Sequence, residues 1–134
     1  MHVSVTKKRL EDITQPLVLF FTTEGAQHLK KHAPSETYEL ASEAVTGGEF
    51  TGSKCKTFIL KTTHHIPAKR LILAGLGDNK TINHELLRRA AAAAVNTLHD
   101  LSDNEATFVI PSLTTITDHD VATSICEGIL LGDY

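Results

Sequence analysis

Leu17-Val18-Leu19-Phe20-Phe21-Thr22 is apolar at five consecutive positions before it meets its first polar residue. Side chains alternate between the two faces of a strand, so a strand with one wet face reads as alternating apolar and polar residues. This run does not alternate. It predicts a central strand covered on both sides, with Pro16 tolerated because it stands only at the strand's start. A second run of the same kind, Leu71-Ile72-Leu73-Ala74, lies in the predicted strand Lys69–Ala74. Strands buried on both faces need a layer of helices above and below, which makes the chain α/β.

Upstream, His2-Val3-Ser4-Val5-Thr6 has period two and predicts an opening strand. Downstream, Thr23 is placed to cap a short helix over Gly25–Lys31, which must stop before Pro34. Ser35 is placed to cap a second helix whose apolar face is Tyr38, Ala41, Ala44 and Val45, and Gly47 and Gly48 end it. Lys56–Thr62 is a further strand. Only Thr63–Ala68 joins it to Lys69–Ala74, too short a link for a crossover helix, so these two strands are expected to be antiparallel neighbours. Gly75-Leu76-Gly77-Asp78-Asn79 reads as the turn into the longest helix, roughly Ile82–Leu101, where Leu87, Ala90, Ala94, Leu98 and Leu101 make one stripe. The five alanines Ala90–Ala94 favour helix and allow close approach to a sheet. A strand over Ala106–Ile110 follows. The last helix opens on Thr117-Asp118-His119-Asp120, where acids suit the helix dipole, and Val121, Ile125, Ile129 and Gly132 follow one face. The expected architecture is a single α/β domain with a mixed sheet sandwiched between helices.

Composition agrees. At 134 residues, 41% hydrophobic and 22% charged, the chain is long enough for one domain with its own core. No apolar run approaches the roughly 20 residues of a membrane span, and no signal peptide is legible after Lys7, Lys8 and Arg9, so a cytoplasmic location with no membrane partner is expected. Cys55 and Cys126 belong to no Cys-x-x-Cys motif and read as two reduced thiols. The net charge of -3 is uneven. All 13 Lys and Arg lie in residues 1–89 with 9 acids (+4), whereas residues 90–134 carry 7 acids and no Lys or Arg (-7). Either the two halves mix on the folded surface, or the surface is polarised toward a partner.

The search for chemistry returns little. Gly75-x-Gly77 sits where backbone N–H groups cradle phosphate in nucleotide sites, but the third glycine of G-x-G-x-x-G is Lys80 here and no P-loop follows. A tight turn needing positive φ explains the pair as well. His64 and His65 are adjacent on an extended segment and point opposite ways. His28 and His32 share a helix face without an evident third ligand, and Asp118-His119-Asp120 lies where acids cap a helix. The basic pairs Lys30-Lys31, Lys54/Lys56, Lys69-Arg70 and Arg88-Arg89 are placed to touch phosphates or simply to face water. No catalytic, cofactor-binding or metal-ligating residue is assigned, although a nucleophile with a spatially adjacent His is not legible in a sequence.

Three stretches together resemble the leucyl (cytosol) aminopeptidase family. Gly48-Glu49-Phe50-Thr51-Gly52-Ser53-Lys54 resembles the turn after its first major helix. Ala68-Lys69-Arg70-Leu71-Ile72-Leu73-Ala74-Gly75-Leu76-Gly77 resembles its strand and Gly-Leu-Gly turn. Glu127-Gly128-Ile129-Leu130-Leu131-Gly132-Asp133-Tyr134 resembles the helix that ends its N-terminal domain, and Leu86–Ala94 also matches in place. The resemblance covers roughly residues 2–134 in order and spacing. It implies a macro-domain-like fold over residues 1–134, as the non-catalytic N-terminal domain of a parent whose larger C-terminal domain is absent from this chain. That catalytic domain would hold two divalent metal ions, zinc or manganese, and activate water against the first peptide bond. The family's Asn-Thr-Asp-Ala-Glu-Gly-Arg signature is missing here, so none of its metal or catalytic residues maps onto this chain. The resemblance further implies a homo-hexamer, in which this domain meets its own catalytic domain and sister subunits and limits access to the active sites. DNA is a further partner implied by some bacterial members. A free-standing module binding ADP-ribose or a related nucleotide through Gly47-Gly48 or Gly75–Gly77, and a bare assembly domain, are the alternative readings.

Overall fold

A computed structural model describes residues 12–23, 36–61 and 67–133. The chain forms β1 (Leu17–Thr22), α1 (Glu36–Thr46), β2 (Thr57–Lys61), β3 (Arg70–Gly77), a 3-10 turn (Asn79–Thr81), α2 (His84–Asp100), β4 (Thr107–Phe108) and α3 (Asp118–Asp133). The sheet order among the described residues is β2-β3-β1-β4. β1 runs parallel to β3 and β4, and β2 runs antiparallel to β3, as the short connector requires. The expected strand His2–Thr6, the helix Gly25–Lys31, the cap Ser35 and the pairs Lys30-Lys31, His28/His32 and His64-His65 lie outside the described residues.

The unbroken apolar runs do what their pattern demands. Leu17, Leu19 and Phe21 of β1 join Leu71 and Leu73 of β3 under Ala41 and Ala44 of α1. The intervening Val18, Phe20, Ile72 and Ala74 pack on the opposite face against Leu87, Ala90, Ala94, Val121 and Ile125 of α2 and α3. Every residue of β1 is buried. Each large side chain removed from water in this way contributes about 1.5–3 kcal/mol. The mixed sheet is therefore sandwiched between α1 on one side and α2 with α3 on the other.

Local signals set most helix ends. Gly48, at φ 78°, follows α1. The Asn83 side chain accepts the Leu86 N–H at 2.8 Å and starts α2 two residues later than the apolar pattern indicates, because Asn79–Thr81 forms a separate 3-10 turn capped by Asp78. Thr117 Oγ1 accepts the Asp120 N–H at 3.2 Å and opens α3 as expected. The C-terminus of α2 closes without glycine. The Ser102 N–H donates to His99 O and the Asp103 N–H to Leu98 O, both at 2.9 Å, with Ser102 at φ 60°. That left-handed position favours glycine, so Ser102→Gly is expected to stabilise the chain by roughly 0.5–1 kcal/mol, read as a raised urea midpoint.

Two expectations need correction. The strand predicted over Ala106–Ile110 shrinks to Thr107–Phe108, where Thr107 N–H bonds to Pro16 O and Val109 N–H to Val18 O before Pro111 ends the run. Gly75-Leu76-Gly77 is not a turn: β3 continues through Gly77, with a register irregularity where Phe21 pairs with Gly75 and Thr22 with Gly77. The alanine run also serves a second partner. Ala90 and Ala94 sit in the core beneath the sheet, but Ala91 and Ala92 abut Gly128 and Gly132 of α3.

Asp103 fastens the loop after α2 to the start of β3. Its side chain, only 3% exposed, lies 3.2 Å from Lys69 Nζ and 3.5 Å from Arg70 Nη1. Asp103→Ala leaves the half-buried Arg70 without this carboxylate and is expected to cost about 2 kcal/mol in urea unfolding, less than a fully buried pair because Lys69 is largely in water.

Candidate functional site

Ligands of open α/β sheets bind beyond the carboxyl ends of the parallel strands. In this chain that edge comprises Thr22 of β1 and Gly77 of β3, with the segment Gly48–Lys56 crossing it on the way from α1 to β2. The crossing is tight. A Cβ on Gly52 would lie 2.5 Å from Thr22 O, one on Gly77 2.5 Å from Lys54 Cγ, and one on Gly75 would overlap Ser53 O. Gly52 and Gly77 also have φ of 79° and 75°. Phe50 anchors the segment from below, buried edge-on to Phe21 at 6.2 Å and stacked with Phe58 at 6.2 Å.

The backbone donors of Gly75 and Gly77 along this edge are already engaged. Gly77 N–H donates to Gly52 O and Gly75 N–H to Lys56 O, each at 2.8 Å, while Cys55 N–H donates to Gly75 O at 2.9 Å and Thr23 N–H to Gly77 O at 3.0 Å. Gly47 and Gly48 give theirs to Glu43 O and Val45 O. A phosphate cradle requires several N–H groups free to point at one anion. Neither glycine pair offers them. The Gly52–Lys56 backbone takes up the N–H groups of Gly75 and Gly77 instead.

The charged candidates separate in the same way. Arg88 reaches Glu127 at 3.3 Å and Glu85 at 3.4 Å, Arg89 reaches Glu85 at 3.1 Å, and Lys69 and Arg70 share Asp103. Lys54 and Lys56 are exposed and have no ion-pair partner among the described residues. Asp118-His119-Asp120 forms the exposed first turn of α3. No group of three or more His, Cys, Asp or Glu side chains converges on a metal position among the described residues. Cys55 and Cys126 are both free thiols, and burial pushes the Cys55 thiol above its ordinary range despite the nearby Arg89 and Lys54.

One pairing escaped the sequence. His84 Nδ1 lies 2.9 Å from Ser124 Oγ, joining the first turn of α2 to the middle of α3 across 40 residues. Ser124 is 1% exposed and sits in α3 against the first turn of α2, so its hydroxyl is not open to solvent among the described residues. Among the described residues no hydrogen bond orients the far side of the imidazole, so the pair lacks the third member that nucleophilic catalysis needs. It works as a clasp between α2 and α3.

A mixed sheet between helix layers, with the Gly48–Lys56 segment crossing the described part of its strand-end edge, defines a macro-domain-like fold. Solved structures agree on the fold. The macrodomain of Mycobacterium tuberculosis DarG superimposes with a TM-score of 0.65 at 14% identity, covering 94% of this chain and 88% of that one. The bottromycin maturation enzyme BotP, in complex with Mn, superimposes at 0.63 and 16% identity over 91% of this chain and 23% of its own. The model of the cytosol aminopeptidase family, N-terminal domain, matches residues 17–134, and the chain belongs to that family. The probable cytosol aminopeptidases of Geotalea uraniireducens and Roseiflexus castenholzii are 35% and 33% identical over 100 and 92 residues, 69% of this chain in each case. The probable cytosol aminopeptidase of a Sulfurihydrogenibium species is 25% identical across 100% of it. The chain spans 19%, 20% and 27% of the Roseiflexus, Geotalea and Sulfurihydrogenibium proteins.

Proposed function

We propose that the chain acts as the non-catalytic N-terminal domain of a longer cytoplasmic aminopeptidase that releases N-terminal amino acids from peptides. The observation that carries this reading is the family match over residues 17–134, in a chain spanning about a fifth of the relatives' length. The domain would pack against its own catalytic domain and sister subunits of a homo-hexamer, and help limit entry to the active sites. The described residues do not fit a two-metal site, since no three candidate ligands converge. The zinc or manganese ions are therefore assigned to the second domain, and no hydrolytic step is assigned to a residue of this chain.

Residues 1–134 alone are expected to leave leucine amide intact, whereas the product of the whole gene should cleave it in a chelator-sensitive way and run as a hexamer by light scattering. Robust chelator-sensitive cleavage by residues 1–134 overturns the reading. The nucleotide-binding alternative draws on the macrodomain likeness alone, and the engaged glycine N–H groups count against it. ADP-ribose titrated into the chain is expected to give no heat and no thermal shift; saturable binding would restore that alternative. For DNA, Lys54 and Lys56 are the basic pair left without carboxylates among the described residues, too few to predict tight, salt-dependent binding.

A further inference from the structure

Leu130 and Leu131, in the last turns of α3, are 50% and 66% exposed. α3 already has its inner stripe: Val121, Ser124, Ile125, Gly128 and Ile129 face the core. At about 100° per residue, Leu130 and Leu131 fall some 100° and 200° beyond Ile129 and leave that stripe. Cys126, Leu130 and Leu131 extend apolar character beyond that stripe, with Glu127 falling between the two leucines around the helix, and the last turn carries no basic residue. Two adjacent large apolar side chains left in water on the outer side of a helix mark a surface suited to being covered.

We propose that this outer face of α3 is the seat of the larger domain that follows in the same polypeptide, an inference that rests on the reading of the chain as an N-terminal domain. Two observations select this occupant. The match is to an N-terminal domain in proteins of which it forms 19–27%, so most of each relative lies beyond the matched segment. A polypeptide continuing past Tyr134 would leave within four residues of both leucines, a reach of no more than roughly 14 Å. At the rim Glu127 is held by Arg88 at 3.3 Å and Asp133 lies 3.0 Å from His99, so both carboxylates nearest the leucines already have partners within this domain.

The test compares backbone hydrogen exchange in the last two turns of α3 between residues 1–134 and the gene product expressed from first codon to natural stop. Exchange there is expected to be at least about tenfold slower in the longer product. Leu130→Glu with Leu131→Glu should remove that protection while shifting the thermal midpoint of residues 1–134 by no more than about 2 °C, since both positions face water in it. Equal exchange in the two proteins overturns the inference, as does protection that survives the double substitution, or a natural product that stops at Tyr134. So does a dimer of residues 1–134 that the double substitution splits, because the face would then belong to a second copy. Chelator-sensitive leucine amide cleavage, measured on the same longer product, separates the two proposals. Activity with an unprotected α3 ends the docking inference alone, and protection without activity ends the aminopeptidase reading alone.

Discussion

Gly75→Ala is expected to be the most damaging single methyl group added anywhere along the strand-end edge, lowering stability by about 4 kcal/mol. Backbone conformation is not the reason, because Gly75 lies in β3 without a positive φ. The reason is contact. The new Cβ would overlap Ser53 O and lie 2.7–2.8 Å from Gly52 C and O, all main-chain atoms that have no rotamer by which to escape. Relief requires the Gly52–Cys55 segment to lift from β3, which breaks the bonds from Gly77 N–H to Gly52 O and from Cys55 N–H to Gly75 O. Each buried backbone group so orphaned costs about 1–3 kcal/mol. Gly48→Ala is the control. A Cβ there meets nothing within 4 Å, so only the left-handed φ of 78° is penalised, at about 1 kcal/mol. Urea unfolding of the two variants should differ by roughly the clash itself; equal losses would mean that the loop yields freely.

Gly128→Ala comes second, at about 3 kcal/mol, against the usual direction for a helix interior. Replacing a mid-helix glycine with alanine ordinarily gains about 1 kcal/mol in propensity. Here the added Cβ would overlap Arg88 O and lie 2.8 Å from Arg88 Cα and Ala91 Cβ, so α3 must back away from α2. That movement opens a layer containing Leu87, Ala90, Val121 and Ile125, and stretches the His84–Ser124 clasp. Adding Ala91→Gly is expected not to restore stability, because the closest obstacle is a main-chain oxygen rather than the alanine methyl. A rescued double variant would show that side-chain crowding, and not backbone approach, sets the spacing of the two helices.

The elements that were legible in the sequence are those whose cause is local. Leu17–Phe21 and Leu71–Ala74 announce burial on both faces, and both are central strands. The Leu87-Ala90-Ala94-Leu98 stripe and the Thr117 cap likewise place α2 and α3 within a residue or two. The glycines were harder. An isolated Gly-x-Gly after a strand reads as a turn, and Gly77 does adopt a positive φ, but β3 passes straight through the pair. Its glycines are required by a loop that begins more than twenty residues earlier. The alanine run was read as a sheet-facing surface, and half of that surface faces a helix nearly forty residues later.

For function, the sequence supplied the family through the order and spacing of three weak motifs, together with an empty inventory of catalytic groups. It did not supply the state of the candidates. Arg88-Arg89 and Lys69-Arg70 look like phosphate contacts until Glu85, Glu127 and Asp103 are seen to hold them. Ser124 and His84 have no motif, being 40 residues apart.

By itself, then, the sequence determined which segments leave water and with what period, because hydrophobic burial is written residue by residue along the chain. Whether the glycine N–H groups are free to meet an anion was decided only by the tertiary structure. That depends on where the Gly52–Cys55 backbone lands on β3 and on which N–H groups it consumes. Those quantities belong to pairs of residues distant in sequence, and no single stretch of sequence contains both members.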